Sequence, residues 1–188
     1  RQQILYSVEL FKSSICFKHI LFFCPMKRVL FLTLLIFATL TVNAQQIDKS
    51  ELKKLKTFLS QTSRSNKTNA QSIGIKDLNN PLSWHGVEWS NGHLKSIMWR
   101  GYSLSGDLDL SDMTMLQTVD LSRNKLTSLN ISGCTKLKSL NVSNNHIETL
   151  NLENCISLKR LLCNKNHLKE LNLSLLPSIS IINCGDND

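Results

Sequence analysis

The chain has 188 residues, 41% of them apolar, and a formal net charge of +8, a size that allows one folded domain with a targeting segment ahead of it. Half of that charge lies near the N-terminus, because residues 45–188 hold 17 Lys and Arg against 13 Asp and Glu. The remaining charges are scattered, with no basic tract beyond Lys53, Lys54 and Lys56, which excludes the basic footprint of a nucleic-acid-binding protein.

The first methionine is Met26, and residues 1–25 begin with Arg. They are read as upstream sequence that precedes the true start. From Met26, the basic pair Lys27 and Arg28 leads into a nearly all-apolar run over 29–42, which ends at Val42, Asn43 and Ala44. As a helix that run spans roughly 21 Å at about 1.5 Å per residue, short of a bilayer core of about 30 Å. Residues 26–44 are therefore expected to be a signal peptide cut after Ala44. No cysteine follows the cut, so no lipid anchor is expected, and no membrane span beyond the signal peptide.

Residues 45–93 read as a region of their own. In IDKSELKKLKTFLS (47–60), Leu52, Leu55, Phe58 and Leu59 fall at helical spacing, with Ser50 as the expected N-cap. The polar stretch QTSRSNKTNAQS (61–72) predicts a loop. It is followed by a W-x-G-V-x-W element from Trp84 to Trp89 and then by Trp99.

From Leu94 to the end the chain repeats itself. A shift of 21 residues superposes 116–136, 137–157 and 158–178, with a shortened fourth copy from Ile179. Leu116, Leu137, Leu158 and Ile179 share a column. Val119, Leu140, Leu161 and Ile182 share the next, followed by Leu121, Val142, Cys163 and Cys184. Asn124, Asn145, Asn166 and Asn187 form a column without exception. Residues 94–115, with Leu94, Ile97, Trp99, Leu104, Leu108 and Leu110, are a degenerate first copy at a spacing of 22.

A period of 20 to 29 residues in the pattern L-x-x-L-x-L-x-x-N marks a leucine-rich repeat. Alternation turns one side of each short strand inward, and stacked coils bury it along a parallel sheet. The Asn column is expected to be structural, since an amide carries both donors and an acceptor for backbone that leaves the strand. The second half of each repeat, with Leu129, Leu150 and Leu171 in one column and Ile131, Leu152 and Leu173 in another, has little room for a helix. A second short extended stretch or 3₁₀ turn is expected there. The predicted fold is a leucine-rich-repeat solenoid, a right-handed coil of short parallel strands with a helical N-terminal cap and about four repeats over 94–188.

These columns resemble bacterial secreted leucine-rich-repeat proteins and, more distantly, the internalins. The Trp84–Trp89 element, followed by Leu104, Ser105, Gly106 and Leu108, looks like the cap of such proteins. Many of those caps carry a cysteine pair that is absent here, so Trp84, Trp89 and Trp99 are expected to seal the end by packing. Trp84 and Trp89 as ligand-stacking aromatics is the other reading, weaker because solenoid ends require cover. The chain stops just past the Asn column with no closing element, which reads as a fragment with further sequence beyond it.

Cys134 and Cys155, and Cys163 and Cys184, are each 21 apart and so repeat a column. They are read as small buried apolar residues, with disulfides left open. His146 and His167 stand one repeat apart beyond the Asn column, read as exposed loop polarity over a weak metal or pH-sensitive pair. No G-x-S-x-G, H-E-x-x-H or phosphate-binding glycine loop occurs. No catalytic, cofactor-binding or metal-ligating residue is expected, and the protein is not expected to be an enzyme.

The reading that remains is a secreted or cell-surface module that binds an unidentified protein and no nucleic acid. The alternative is the N-terminal recognition region of a longer enzyme or sensor. Ligand contact is expected at solvent-facing strand positions, among them Met98, Arg100, Asp120, Asn141, Arg160, Leu162 and Ile181, with Ser122 and Ser143 also facing solvent. Arg and large apolar residues are the favoured anchors there.

Overall fold

Asp48 starts the first helix, α1 (Lys49–Ser60): its Oδ1 accepts the N–H groups of Ser50 at 2.9 Å and Glu51 at 3.0 Å. The cap is thus Asp48 and not the expected Ser50, which lies inside the helix. A carboxylate there satisfies two orphan donors and meets the positive end of the helix dipole. These residues belong to a computed structural model that describes 46–62 and 66–188. The expectations for residues 1–25 and for a signal peptide over 26–44 lie outside the described residues. Leu55, Phe58 and Leu59 are buried along one face of α1, as their spacing predicts.

The stretch 61–72 is not wholly a loop. Thr68 opens a short helix, α2 (Asn69–Ile73), by accepting the Gln71 N–H at 3.2 Å while Gln71 Oε1 accepts the Thr68 N–H at 2.9 Å. This reciprocal pair outweighs the stretch's polar composition, and Gly74 ends the helix at φ 85°. A 3₁₀ turn (Pro81–Ser83) leads to β1 (Val87–Ser90), which pairs antiparallel with β2 (His93–Met98).

From β2 onward every pairing in this sheet is parallel. β2 is followed by β4 (Thr118–Asp120), β6 (Ser139–Asn141), β8 (Arg160–Leu162) and β9 (Ile181–Asn183), in the order β1-β2-β4-β6-β8-β9. Ile97, Val119, Leu140, Leu161 and Ile182 stand in register, so the repeat shift seen in the sequence is the strand register. The second halves of the first three coils build a separate parallel sheet, β3 (Ser105–Asp109), β5 (Lys125–Asn130) and β7 (Leu150–Asn151), while the corresponding stretch around Leu171 forms no strand. The extended stretch expected in the second half is present in those three coils. Between the sheets lie Leu116, Leu121, Leu126, Leu137, Leu140, Val142, Leu158 and Leu161, all buried. This is the parallel-strand solenoid of leucine-rich repeats.

The Asn column ties the coils together. Asn145 Nδ2 donates to the Val142 carbonyl in its own coil at 2.9 Å and to Leu121 in the preceding coil at 3.0 Å, while its Oδ1 accepts the Leu126 N–H at 3.0 Å. Asn124 does the same with Leu121, Trp99 and Leu104. Asn166 does so with Cys163, Val142 and Ile147, and Asn187 with Cys184, Cys163 and Leu168. Asn124, Asn145 and Asn166 are buried; a hydrophobic side chain there would strand three backbone groups each time. Just before each, Arg123, Asn144, Lys165 and Asp186 adopt φ of 55 to 58°. That left-handed turn costs about 1–2 kcal/mol in a non-glycine residue. It aims the N–H groups of Arg123, Asn144 and Lys165 at carbonyls of the following coil.

The N-terminal end is closed by aromatic packing. Phe58 of α1 stacks on Trp99 with ring centroids 6.2 Å apart, and Trp99 Nε1 donates to the His85 carbonyl at 2.8 Å. Trp84 and Trp89 pack together, their indole N–H groups satisfied by the Asp77 and Pro81 carbonyls. Gly86 (φ 73°) must be glycine, because a Cβ there would collide with the Met98 carbonyl and Trp99 Cδ1. Asn69 of α2, fully buried, donates to the Phe58 and Ser105 carbonyls and accepts the Ser105 N–H. The cap thereby offers the first coil the same amide bridge that the Asn column offers the others. At the far edge, β9 leaves Ile182 39% exposed.

Candidate functional site

Register determines which side chains share the outer face of the six-stranded sheet. One row runs Ser96, Thr118, Ser139, Arg160 and Ile181; the other runs Met98, Asp120, Asn141, Leu162 and Asn183. Neighbouring strands lie about 4.8 Å apart, so each row is a continuous strip of side chains. Met98, at 51%, and Ile181, at 47%, are the large apolar side chains most exposed on it. Arg100 and Arg160 are exposed, and Leu162 is half-buried.

Two of the expected contact residues already have structural work. Asp120 Oδ1 accepts the N–H of Ser122 at 3.0 Å and its hydroxyl at 2.6 Å. Asn141 Oδ1 accepts the same pair of groups from Ser143, at 3.2 and 2.8 Å. Ser122 and Ser143, expected to face solvent, are buried, because the chain bends inward right after the strand and the preceding side chain folds over it. The acceptor-then-serine spacing, Asp-x-Ser and Asn-x-Ser, is the signal that could have revealed this turn. It recurs at the end of β5, where Asn130 holds Ser132, and at the equivalent place two coils on, outside the second sheet, where Asn172 holds Ser174.

At the cap edge of the same face, Glu88 and Lys95 pair at 2.7 Å. The hydrogen bond from Lys95 holds the Glu88 carboxyl below its ordinary range.

The other chemistry-bearing groups are spread out. Cys134, Cys155 and Cys163 are buried free thiols, and Cys184 is an exposed one. Burial pushes Cys134 up to about 12, and Cys155 and Cys163 up to about 11. Cys134 and Cys155 donate to the Leu110 and Ile131 carbonyls of their preceding coils. Such thiols are held as neutral packing groups and are poor nucleophiles. His146 and His167 stack with centroids 5.7 Å apart on the exposed turn, and His167 Nδ1 lies 3.5 Å from Asp188 Oδ1. Among the described residues no three His, Cys, Asp or Glu are grouped to hold a metal ion. No helix among them is long and apolar enough to cross a membrane.

Comparison with known proteins agrees with the geometry. Residues 114–154 match the family described as Leucine Rich repeats (2 copies). No curated protein matches the chain at a significant level. The matched segment contains β4 to β7, and the same register continues on both sides of it, from β2 to β9. The chain carries leucine-rich repeats, recognisable by sequence over 114–154 and by coil geometry beyond that segment, and it folds as a leucine-rich-repeat solenoid.

Proposed function

We propose that this is an exported, non-enzymatic protein whose six-stranded sheet binds a protein partner on its outer face. The observation that carries the reading is the pair of in-register rows. They present Met98 at the β2 end, and Leu162 and Ile181 beside the exposed guanidinium of Arg160, which pairs with no acid among the described residues. Exposed apolar side chains next to arginine are what a protein partner can desolvate and anchor on. Leucine-rich repeats commonly serve as protein-binding scaffolds, and a stack of coils presents an extended surface suited to that use.

The leader pattern from Met26 to Ala44 supports export. N-terminal sequencing of the mature protein is expected to start at Gln45; a mature chain that keeps residues 1–25 overturns this part. For the surface, a photo-crosslinking amino acid placed at Asn141 is compared with one at Glu148, beside the second sheet. Specific protein adducts at Asn141 and none at Glu148 are expected in the producing cells. Equal adducts at both positions, or adducts at Glu148 alone, overturn the assignment of the face.

A further inference from the structure

The two sheets carry opposite charge. The six-stranded sheet comprises β1 (Val87–Ser90) and the parallel strands with their lead-in residues, 93–98, 115–120, 136–141, 157–162 and 178–183. These contain Lys95, Lys136, Lys138, Lys159 and Arg160 against two acids, Glu88 and Asp120. The second sheet and its turns, 105–112, 125–133 and 147–154, with the equivalent stretch of the next coil, 168–175, reverse the balance. They contain Asp107, Asp109, Asp112, Glu148, Glu153 and Glu170 against two cations, Lys125 and Lys169. All six of these acids are exposed.

On the basic face the cations are concentrated. Lys138 and Lys159 stand one strand apart, since the Lys159 N–H donates to the Lys138 carbonyl at 2.9 Å. Arg160 follows in β8, and Lys136 precedes β6 by three residues. Lys138, Lys159 and Arg160 are exposed, and none of the three pairs with an acid among the described residues. The acids on this face are engaged elsewhere, Glu88 by Lys95 and Asp120 by Ser122. The face therefore presents a net positive strip flanked by Leu162 and Ile181, with Met98 at its far end.

We propose that the partner is an acidic protein segment with interspersed apolar residues, lying across β6, β8 and β9. This rests on the reading of the sheet as a protein-binding face and adds the sign and composition of what it selects. Bare cations at strand spacing attract carboxylates, and the complementary sign speeds encounter and rejects cationic competitors. The apolar flanks favour a polypeptide over a bare polyanion, since a sugar or phosphate chain has nothing to bury on Leu162 and Ile181.

The test uses the mature chain and a short labelled peptide in which glutamate alternates with leucine. Its glutamine-for-glutamate and lysine-for-glutamate counterparts, heparin and duplex DNA serve as comparisons. The glutamate peptide is expected to bind at low salt and to weaken as salt rises. Combined Lys138→Glu, Lys159→Glu and Arg160→Glu should weaken it by about tenfold or more. Combined Lys125→Glu, Lys165→Glu and Lys169→Glu should change it by less than about twofold. Because salt dependence is read on the unaltered protein, the test survives a misfolded variant.

If the glutamine peptide binds as tightly, and binding is lost with Met98→Ser and Leu162→Ser, charge is not the selector and the inference fails while the binding face stands. If heparin or DNA binds more tightly than the peptide at the same three cations, the partner is a polyanion and the inference fails. Self-association in sedimentation that is abolished by the three reversals, without peptide binding, assigns the basic face to the acidic face of a second copy and overturns it. If no peptide binds while cross-linking at Asn141 still yields adducts, the acidic partner is removed and the face remains. Failure of both removes both.

Discussion

Glu51 of α1 reaches Leu94 at the start of the first coil: its Oε2 accepts the Leu94 N–H at 2.7 Å, and its Oε1 lies 2.9 Å from His93 Nδ1. The carboxylate is buried, and Leu94 heads the inward column that continues through Leu116 and Leu137. One side chain therefore joins the cap helix to the first strand of the ladder. Glu51→Ala leaves a buried N–H without a partner and is expected to cost about 1–3 kcal/mol. Glu51→Gln keeps an acceptor for Leu94 and should cost less. Urea denaturation midpoints of the two variants check the order, and equal losses would show that the contact with Leu94 does not hold the cap.

Asn145→Ala removes one donor group shared by two carbonyls and one acceptor, all buried, and should also cost about 1–3 kcal/mol. Asn187→Ala, at the half-buried outer coil, should cost less because water reaches the freed groups. Read as a free solvent-facing residue, Asn141 could be replaced at little cost. Its bonds to the Ser143 N–H and hydroxyl raise the expected loss to about 0.5–1.5 kcal/mol. Thermal or urea unfolding of the three variants decides, with the order Asn145, Asn141, Asn187 or Asn145, Asn187, Asn141 acceptable and Asn145 last unacceptable.

Lys54 and Asp109 join α1 to β3 at 3.1 Å. Burial alone would raise the Asp109 carboxyl above its ordinary 3.8, but the Ser111 N–H and hydroxyl, together with Lys54, hold it below that value. A carboxylate whose folded pKa is depressed stabilises the folded state above its unfolded pKa and loses that contribution as pH falls through the folded value. Asp109→Asn should therefore narrow the stability difference between neutral pH and pH values below 3.8. The effect is small, because Asp109 is half exposed and solvent screens the pair. Unfolding midpoints across an acid series read it, and an unchanged slope removes the pair from the acid response.

Cys184 should react with iodoacetamide in the folded protein at mildly alkaline pH, and Cys134, Cys155 and Cys163 should not. A thiol at about 11 or 12 is almost wholly protonated there, and the protonated form is unreactive. Mass spectrometry before and after denaturation should find one modified thiol among these four, then all four. Rapid labelling of Cys155 in the folded state would contradict the packing of its coil.

The sequence alone determined the coil. A strict 21-residue spacing of Leu116, Leu137 and Leu158, and of the four column asparagines, leaves one way to bury every apolar column at once, with each strand in register with its counterpart. The short second strands followed from the Leu129 and Leu150 column for the same reason. What only the tertiary structure decided are contacts between residues far apart in the chain. Glu51 meets Leu94, Asn69 bridges Phe58 and Ser105, and Phe58 stacks on Trp99, pairings that no local period encodes. The outer face was legible in part. Alternation placed Met98, Arg160 and Ile181 outward, but it could not show that Asp120 and Asn141 fold back on Ser122 and Ser143, because that depends on where the backbone turns. Nor could a scattered linear charge pattern reveal opposite signs on two sheets; coiling brings Lys138 beside Lys159 and Arg160, from which the 21-residue period separates it along the chain.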